Sequence, residues 1–327
     1  MNGTVSIENE VVYSFVIPHH NTPGLLQRLI NSIPVRDDIE IIVVDDNSDE
    51  EKKADICRPD VRTIYIDKEN SSGAGKARNV GMEVAKGKWL LFADADDLYK
   101  PGFIEVLDEY KEDDIEMLFY NIDSVDSDTL QPTEKKYNRA LLHQILIASY
   151  DGSQKTVDDL LFMGFGPWRR MLRSDFVKKY GFRFEEIPKG NDQLFSLLAS
   201  YFAKKWKVDK RLVYTLTYAK ESITYSSLTR PKILSDFNVL RRRAKLYCYI
   251  GHSEWNFKCF RGRYFQSCLA YCYRQYKNNR LTGVKALMYY ITNIISIEKR
   301  ANGYIDVIKE IEEKQNLSMR TEGRKNW

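Results

Sequence analysis

The sequence predicts an α/β protein, a mostly parallel sheet flanked by helices and followed by a helical C-terminal region. Three observations predict it. Short apolar, β-rich runs alternate with helical patterns from the start of the chain. Several of those runs are apolar on both faces, as in a sheet covered by helices on each side. Beyond Pro231 the pattern becomes helical and no further proline interrupts it.

The elements follow in order. Val12 to Ile17 reads as a strand, and Leu25, Leu26, Leu29, Ile30 and Ile33 recur at helical spacing behind Thr22-Pro23, a helix-start signal. Ile39 to Val44 is a second strand, so the opening is a βαβ unit. Val61 to Ile66 (strand), Ala74 to Ala85 (helix), Lys88 to Ala93 (strand) and Glu116 to Ile122 (strand) continue the rhythm. From Asp123 to about Lys155 irregular connections surround a helix near Ala140 to Ser149, and the division into parts is expected at 1–230 and 231–327.

With 327 residues, 43% of them hydrophobic, the chain can bury a substantial core. There is no run of about 18 uncharged apolar residues and no basic-then-apolar leader, so the expected location is cytoplasmic. The five cysteines lack paired CxxC spacing and read as free thiols. Residues 231–327 hold 19 Lys and Arg against 8 Asp and Glu, whereas the first 230 residues are net acidic. That asymmetry argues against a nucleic-acid binder and favours docking of the rear on something anionic.

In open α/β sheets ligands bind beyond the carboxyl ends of the strands. Here those ends read Pro18-His19-His20-Asn21, Asp45-Asp46-Asn47-Ser48 and Asp94-Ala95-Asp96-Asp97. Asp94 and Asp96 supply two carboxylates on a short turn, a donor set suited to Mg²⁺ or Mn²⁺ whose shell is completed by phosphate oxygens. Taken alone, the same residues read more readily as a turn or a helix cap. No GxxxxGK[ST] occurs, which excludes a P-loop ATPase.

Four segments in sequence order, Phe15 to Asn21, Glu40 to Ser48, Gly75 to Gly81 and Leu91 to Asp97, resemble the inverting family 2 glycosyltransferases of GT-A fold. The resemblance is dense over the first third of the chain and looser to about Thr224. It implies transfer of a sugar from a nucleotide-diphosphate donor, a UDP-sugar, to a saccharide hydroxyl, in bacterial surface polysaccharide synthesis. It further implies that Pro18 and its neighbours wall the base, that Asp46 contacts it, and that Arg78 lies near the nucleotide. Asp96 would hold the metal directly, with Asp94 nearer the ribose and metal and Ala95 between them. His19-His20 departs from the family's usual Thr or Ser followed by Tyr.

An inverting transfer needs a base for the acceptor hydroxyl. Asp192, in Gly190-Asn191-Asp192-Gln193, sits where the family has an acidic pair before a helix, with Asn191 in place of the usual Glu. Asp192 therefore reads as the base, and also as the cap of the helix beginning near Gln193. Trp168 and Arg169, in Gly166-Pro167-Trp168-Arg169-Arg170, resemble the acceptor-side segment, with a core Trp and solvated arginines as the alternative. Ser222-Ile223-Thr224 resembles a short family element, which implies a loop that closes on the donor.

Residues 231–280 combine 11 Lys and Arg, 2 Asp and Glu, and many aromatics, the composition of membrane-surface segments. This region would hold the enzyme against an anionic membrane, near a lipid-diphosphate-linked acceptor on the inner face. A solvated helical domain and an oligomer interface are the alternatives. A non-catalytic sugar-nucleotide-binding or scaffold protein of the same fold is the competing functional reading, and the presence of Asp94, Asp96 and Asp192 weighs against it.

Overall fold

The computed structural model describes residues 10–53, 56, 58–132, 138–218, 229–250, 272–273, 276–277 and 280–316. It begins with β1 (Tyr13–His19), α1 (Pro23–Asn31), β2 (Ile39–Asp46), β3 (Val61–Ile66), α2 (Ala74–Val84) and β4 (Trp89–Phe92). Side chains alternate across these strands and divide the core in two. Tyr13, Phe15 and Ile17 of β1 pack with Leu26, Leu29 and Ile30 of α1 in one buried cluster. Val16, with Ile42, Val44, Leu90 and Phe92 of the neighbouring strands, faces Ala77 and Met82 of α2 in the other. Two-sided burial is therefore why these strands are apolar at every position.

The chain continues through β5 (Leu98–Tyr99), α3 (Phe103–Asp108), β6 (Met117–Asp126), α4 (Asn138–Ser149), α5 (Gln154–Phe162), β7 (Arg170–Arg173), α6 (Ser174–Tyr180), α7 (Gln193–Phe202) and β8 (Trp206–Tyr218). The sheet runs β3-β2-β1-β4-β7-β6-β8-β5. Its first four strands are parallel; β7 then lies antiparallel to β4 and β6, β6 and β8 are parallel, and β5 is antiparallel to β8. The sheet is thus mixed, with the expected parallel order confined largely to the β3-β2-β1-β4 half. Chain order leaves β1 for β2 on one side and returns as β4 on the other. That reversal opens a crevice at the carboxyl ends of β1 and β4.

Helices α8 (Arg230–Ile250), α9 (Arg280–Lys299) and α10 (Gly303–Lys314) follow. The change of composition at Arg230 is not a change of packing. Leu246 and Tyr247 of α8 and Tyr304 and Ile308 of α10 belong to the same buried cluster as Phe195 and Phe202 of α7. The Tyr201 hydroxyl donates to Glu312 at 2.9 Å, and Arg242 of α8 pairs with Glu185. Among the described residues, no helix is long and apolar enough to cross a membrane. Cys248 and Cys272 are free thiols, as expected. Cys57, Cys259 and Cys268, the Ser222-Ile223-Thr224 segment, and Trp255, Phe257, Phe260, Tyr264 and Phe265 lie outside the described residues.

Candidate active site

The first strand ends in a bolted loop. The Thr22 N–H donates to His19 Nε2 at 3.1 Å, so the ring proton sits on Nδ1, which lies 2.8 Å from Asp45 Oδ2. Both nitrogens of this buried ring are used for structure. His20 is also pinned, its Nδ1 2.9 Å from the Asp46 carbonyl oxygen. Asn21 adopts the left-handed conformation at φ 59°, donates its N–H to Ser48 Oγ (2.9 Å), and accepts the Asp49 N–H at its Oδ1 (2.8 Å). The histidines therefore stitch the ends of β1 and β2 together, and Pro18 is half-buried beside them.

Asp46 is buried at the end of β2. Its Oδ2 accepts the Gly73 N–H at 2.8 Å, a bond that requires the positive φ of 82° glycine tolerates. Its Oδ1 is buried with no hydrogen-bond partner. An orphaned buried acceptor costs about 1–3 kcal/mol, which an N–H donor from a ligand would relieve.

The acidic turn follows β4. Asp94 is partly exposed, and burial together with the charge of Asp94 pushes the Asp96 carboxyl up to about 6. Asp97 is buried and held well above the usual carboxylate range by burial and by its two acidic neighbours. The turn is held from β8: the Tyr214 hydroxyl donates to Asp97 Oδ2 (2.8 Å) and receives the Asp94 N–H (2.9 Å), the Thr217 N–H donates to Asp97 Oδ1 (2.7 Å), and Thr217 Oγ1 donates to the Asp96 carbonyl (2.5 Å). From α1, Arg28 Nη2 donates to the same carbonyl at 2.9 Å. Neither β8 nor Arg28 was implicated by sequence; their only signal was the Thr- and Tyr-rich run Tyr214 to Tyr218.

Arg78, buried on α2, joins the two halves of the site. Its Nη2 donates to Asp94 Oδ1 at 2.5 Å and its Nη1 to Asn191 Oδ1 at 3.1 Å. Arg78 is thus a buried link between two segments of the site, its ion pair with Asp94 lying at the edge of the crevice. Asp192 follows Asn191 at the start of α7, in the N-cap position but with no capping hydrogen bond from its side chain. Burial raises its pKa, opposed by the nearby charges of Arg139 and Arg78. The loop carrying Asn191 passes so close to α2 that a Cβ on Gly75 would stand 2.1 Å from the Glu185 carbonyl oxygen.

Two expected acceptor-side residues do not reach this crevice. Trp168 is buried, stacked parallel to Tyr214 with ring centroids 6.1 Å apart. Arg169 is fully buried: Nη1 meets His143 Nδ1 at 3.1 Å, Nη2 donates to the Leu160 carbonyl, and the guanidinium lies over Phe119. Arg170, also fully buried, sits over the same ring. The aromatic faces and carbonyls around them draw both arginines inward, so neither is the solvated cation the sequence allowed.

The donor set at Asp94 and Asp96 consists of hard oxygens that repel one another, which fits a divalent cation. Among the described residues no cluster of three His, Cys, Asp or Glu side chains is arranged to hold an ion. Asp94 already gives one oxygen to Arg78, so a bound ion would draw most of its shell from ligand and water.

Residues 14–181, just over half of the chain, match the model of Glycosyl transferase family 2, and the chain belongs to that family. The glycosyltransferase GlyG of Streptococcus pneumoniae serotype 4 is 35% identical over 123 residues, covering 35% of this chain and 40% of GlyG. The succinoglycan biosynthesis protein ExoO of Rhizobium meliloti is 27% identical over 200 residues, covering 58% of this chain and 55% of ExoO. The chain spans about half the length of these curated relatives. The crystal structure of S. aureus TarS 1–349 superposes with a TM-score of 0.54 at 20% identity, covering 73% of this chain and 66% of that one. The same protein in complex with UDP-GlcNAc gives 0.52 at 19% identity, covering 73% and 67%. This likeness shows the GT-A fold.

Proposed function

We propose that the protein is an inverting glycosyltransferase that moves a sugar from a UDP-sugar to a saccharide hydroxyl, in the assembly of a bacterial surface polysaccharide. The observation that carries this reading is the Arg78 fork, which ties Asp94 at the donor side to Asn191 beside Asp192. One guanidinium sets the spacing between an acidic turn and a candidate base.

In this reading Asp46 Oδ1 accepts an N–H from the base, with Pro18 and the loop of His19, His20 and Asn21 forming the adjacent wall. Asp94 and Asp96, with Ala95 between them, are the side chains that would hold Mn²⁺ or Mg²⁺, which when bound neutralises the departing diphosphate. Asp192 takes the proton from the acceptor hydroxyl, a role its raised pKa assists by making it a better proton acceptor near neutral pH. The relation of ExoO to polysaccharide synthesis and the UDP-GlcNAc complex of TarS support the choice of acceptor and donor class. We place this chemistry in residues 1–230, against which the helices of 231–327 pack.

The test is a panel of nucleotide sugars measured by calorimetry with and without Mn²⁺, followed by transfer assays of Asp96→Ala and Asp192→Asn. Asp96→Ala should lose metal-dependent donor binding. Asp192→Asn should bind donor normally and lose transfer by about 10²–10⁴-fold. Undiminished transfer by Asp192→Asn would remove it as the base.

A further inference from the structure

Helix α9 presents an apolar stripe to solvent. Leu281, Val284, Met288, Ile291, Ile294 and Ile295 are all exposed, the last at 71%. The opposite face of the same helix is buried: Ala286, Tyr290 and Ile297 pack with Ile233, Phe237 and Ala244 of α8. The stripe is thus the outer side of a helix already anchored to the body, and a contiguous exposed apolar surface of this kind marks an interaction site.

Charge selects the occupant. Lys285, Lys299 and Arg300 are exposed alongside the stripe. Glu298, the one acidic side chain of α9, is turned to α8, where it accepts from Arg241 at 2.5 and 2.7 Å. The stripe has the spacing of a coiled-coil seam, but Lys285 and Lys299 flank it on the same side. A second copy laid antiparallel would oppose lysine to lysine, and a parallel one would set Lys299 against Ile294. In neither arrangement does an acidic side chain stand opposite the lysines except Glu298, already engaged by Arg241, whereas an anionic lipid surface complements both the apolar stripe and its basic border.

Position gives the stripe a use. On its far side α8 reaches the loop that carries Asn191 and Asp192: Ser235 Oγ donates to the Lys189 carbonyl at 2.8 Å, and Lys189 pairs with Asp236 at 2.8 Å. The exposed stripe is therefore separated from the loop of Asn191 and Asp192 by the thickness of α9 and α8.

We infer that the outer face of α9 docks the protein on an anionic membrane, with α9 and α8 setting the height of the acceptor-side loop above the lipid at about 20 Å. This deepens the acceptor half of the proposed function, since a lipid-linked acceptor would meet the site there, but the docking stands on the α9 surface and is measured without donor or acceptor.

The experiment is co-sedimentation of the full chain with vesicles of phosphatidylcholine alone and of phosphatidylcholine mixed equally with phosphatidylglycerol, at low and high salt. Wild type should sediment with the mixed vesicles only, and salt should release it. Ile291→Glu with Ile295→Glu should abolish sedimentation, and since both side chains are exposed, thermal melting should be unchanged. Lys285→Gln with Lys299→Gln, which leaves the stripe intact, should weaken binding about fivefold for each lysine replaced. Sedimentation that is absent, equal on neutral vesicles, or unaffected by the glutamates overturns the proposal. So does a wild-type oligomer that the glutamates convert to monomers, which would assign the stripe to a second copy. Loss of transfer in Asp192→Asn with vesicle binding intact bears on the active-site reading alone.

Discussion

The Tyr214 hydroxyl stands 2.8 Å from Asp97 Oδ2 and donates to it, while accepting the Asp94 N–H at 2.9 Å. A single phenol on β8 thus holds both ends of the turn after β4. Tyr214→Phe removes that bridge with little change of shape, leaving the Asp94 N–H without its acceptor and Asp97 without one donor. The variant should lose about 1–3 kcal/mol of stability in urea unfolding and need more Mn²⁺ for donor binding. An unchanged Mn²⁺ requirement would leave Tyr214 with a purely structural part.

Asp96 carries a stability cost that depends on pH. Its folded pKa of about 6 lies above the ordinary aspartate value of 3.8, so between those values the folded state holds a proton that the unfolded state has released. Stability therefore falls as pH rises through that window and levels off above it. Asp96→Asn, in chelator, should be more stable than wild type by about 3 kcal/mol at pH 8 and equal to it near pH 3. Denaturant melts at the two pH values give the comparison.

Arg78→Lys keeps the charge and loses the fork. An ammonium cannot reach both Asp94 and Asn191 with the same geometry. The variant should retain its fold by circular dichroism and lose about 10–100-fold in kcat/KM, the worth of one or two charge-assisted hydrogen bonds.

Gly75→Ala should force α2 from the loop of Glu185 to Asn191, because the new methyl would meet a backbone oxygen at 2.1 Å. About 1–3 kcal/mol should be lost, and donor KM should rise as Arg78 moves with its helix. Gly24→Ala on α1, where nothing lies within 4 Å, serves as the control and should be neutral or slightly stabilising in thermal melts.

The strands of the first half were legible because burial on both faces writes continuous apolar runs, as Ile41 to Val44 shows. Their polar ends stood out for the same reason, although two of those carboxylates, Asp45 and Asp97, are buried tethers of their loops, held by His19 and Tyr214. What local pattern does not encode is contact across long stretches of chain. Tyr214 and Thr217 grip a turn about 120 residues earlier, and nothing in their neighbourhood announces it. Trp168 and Arg169 show the converse error. Tryptophan beside arginine looks like a carbohydrate platform in sequence, yet Tyr214 and Phe119 supply faces that make the interior the better place for both.

Helix α8 lies along the segment from Glu185 to Gly190, where Arg242 meets Glu185, Asp236 meets Lys189, and Val239 would touch a side chain placed at Gly190. A chimera that grafted the last hundred residues of a relative onto this body would confront the new helix with a loop shaped for the old one. Divergence of the tail and divergence of the loop before α7 are consequently coupled, and a lineage that changes its C-terminal helices must rewrite the approach to Asn191 and Asp192 in step.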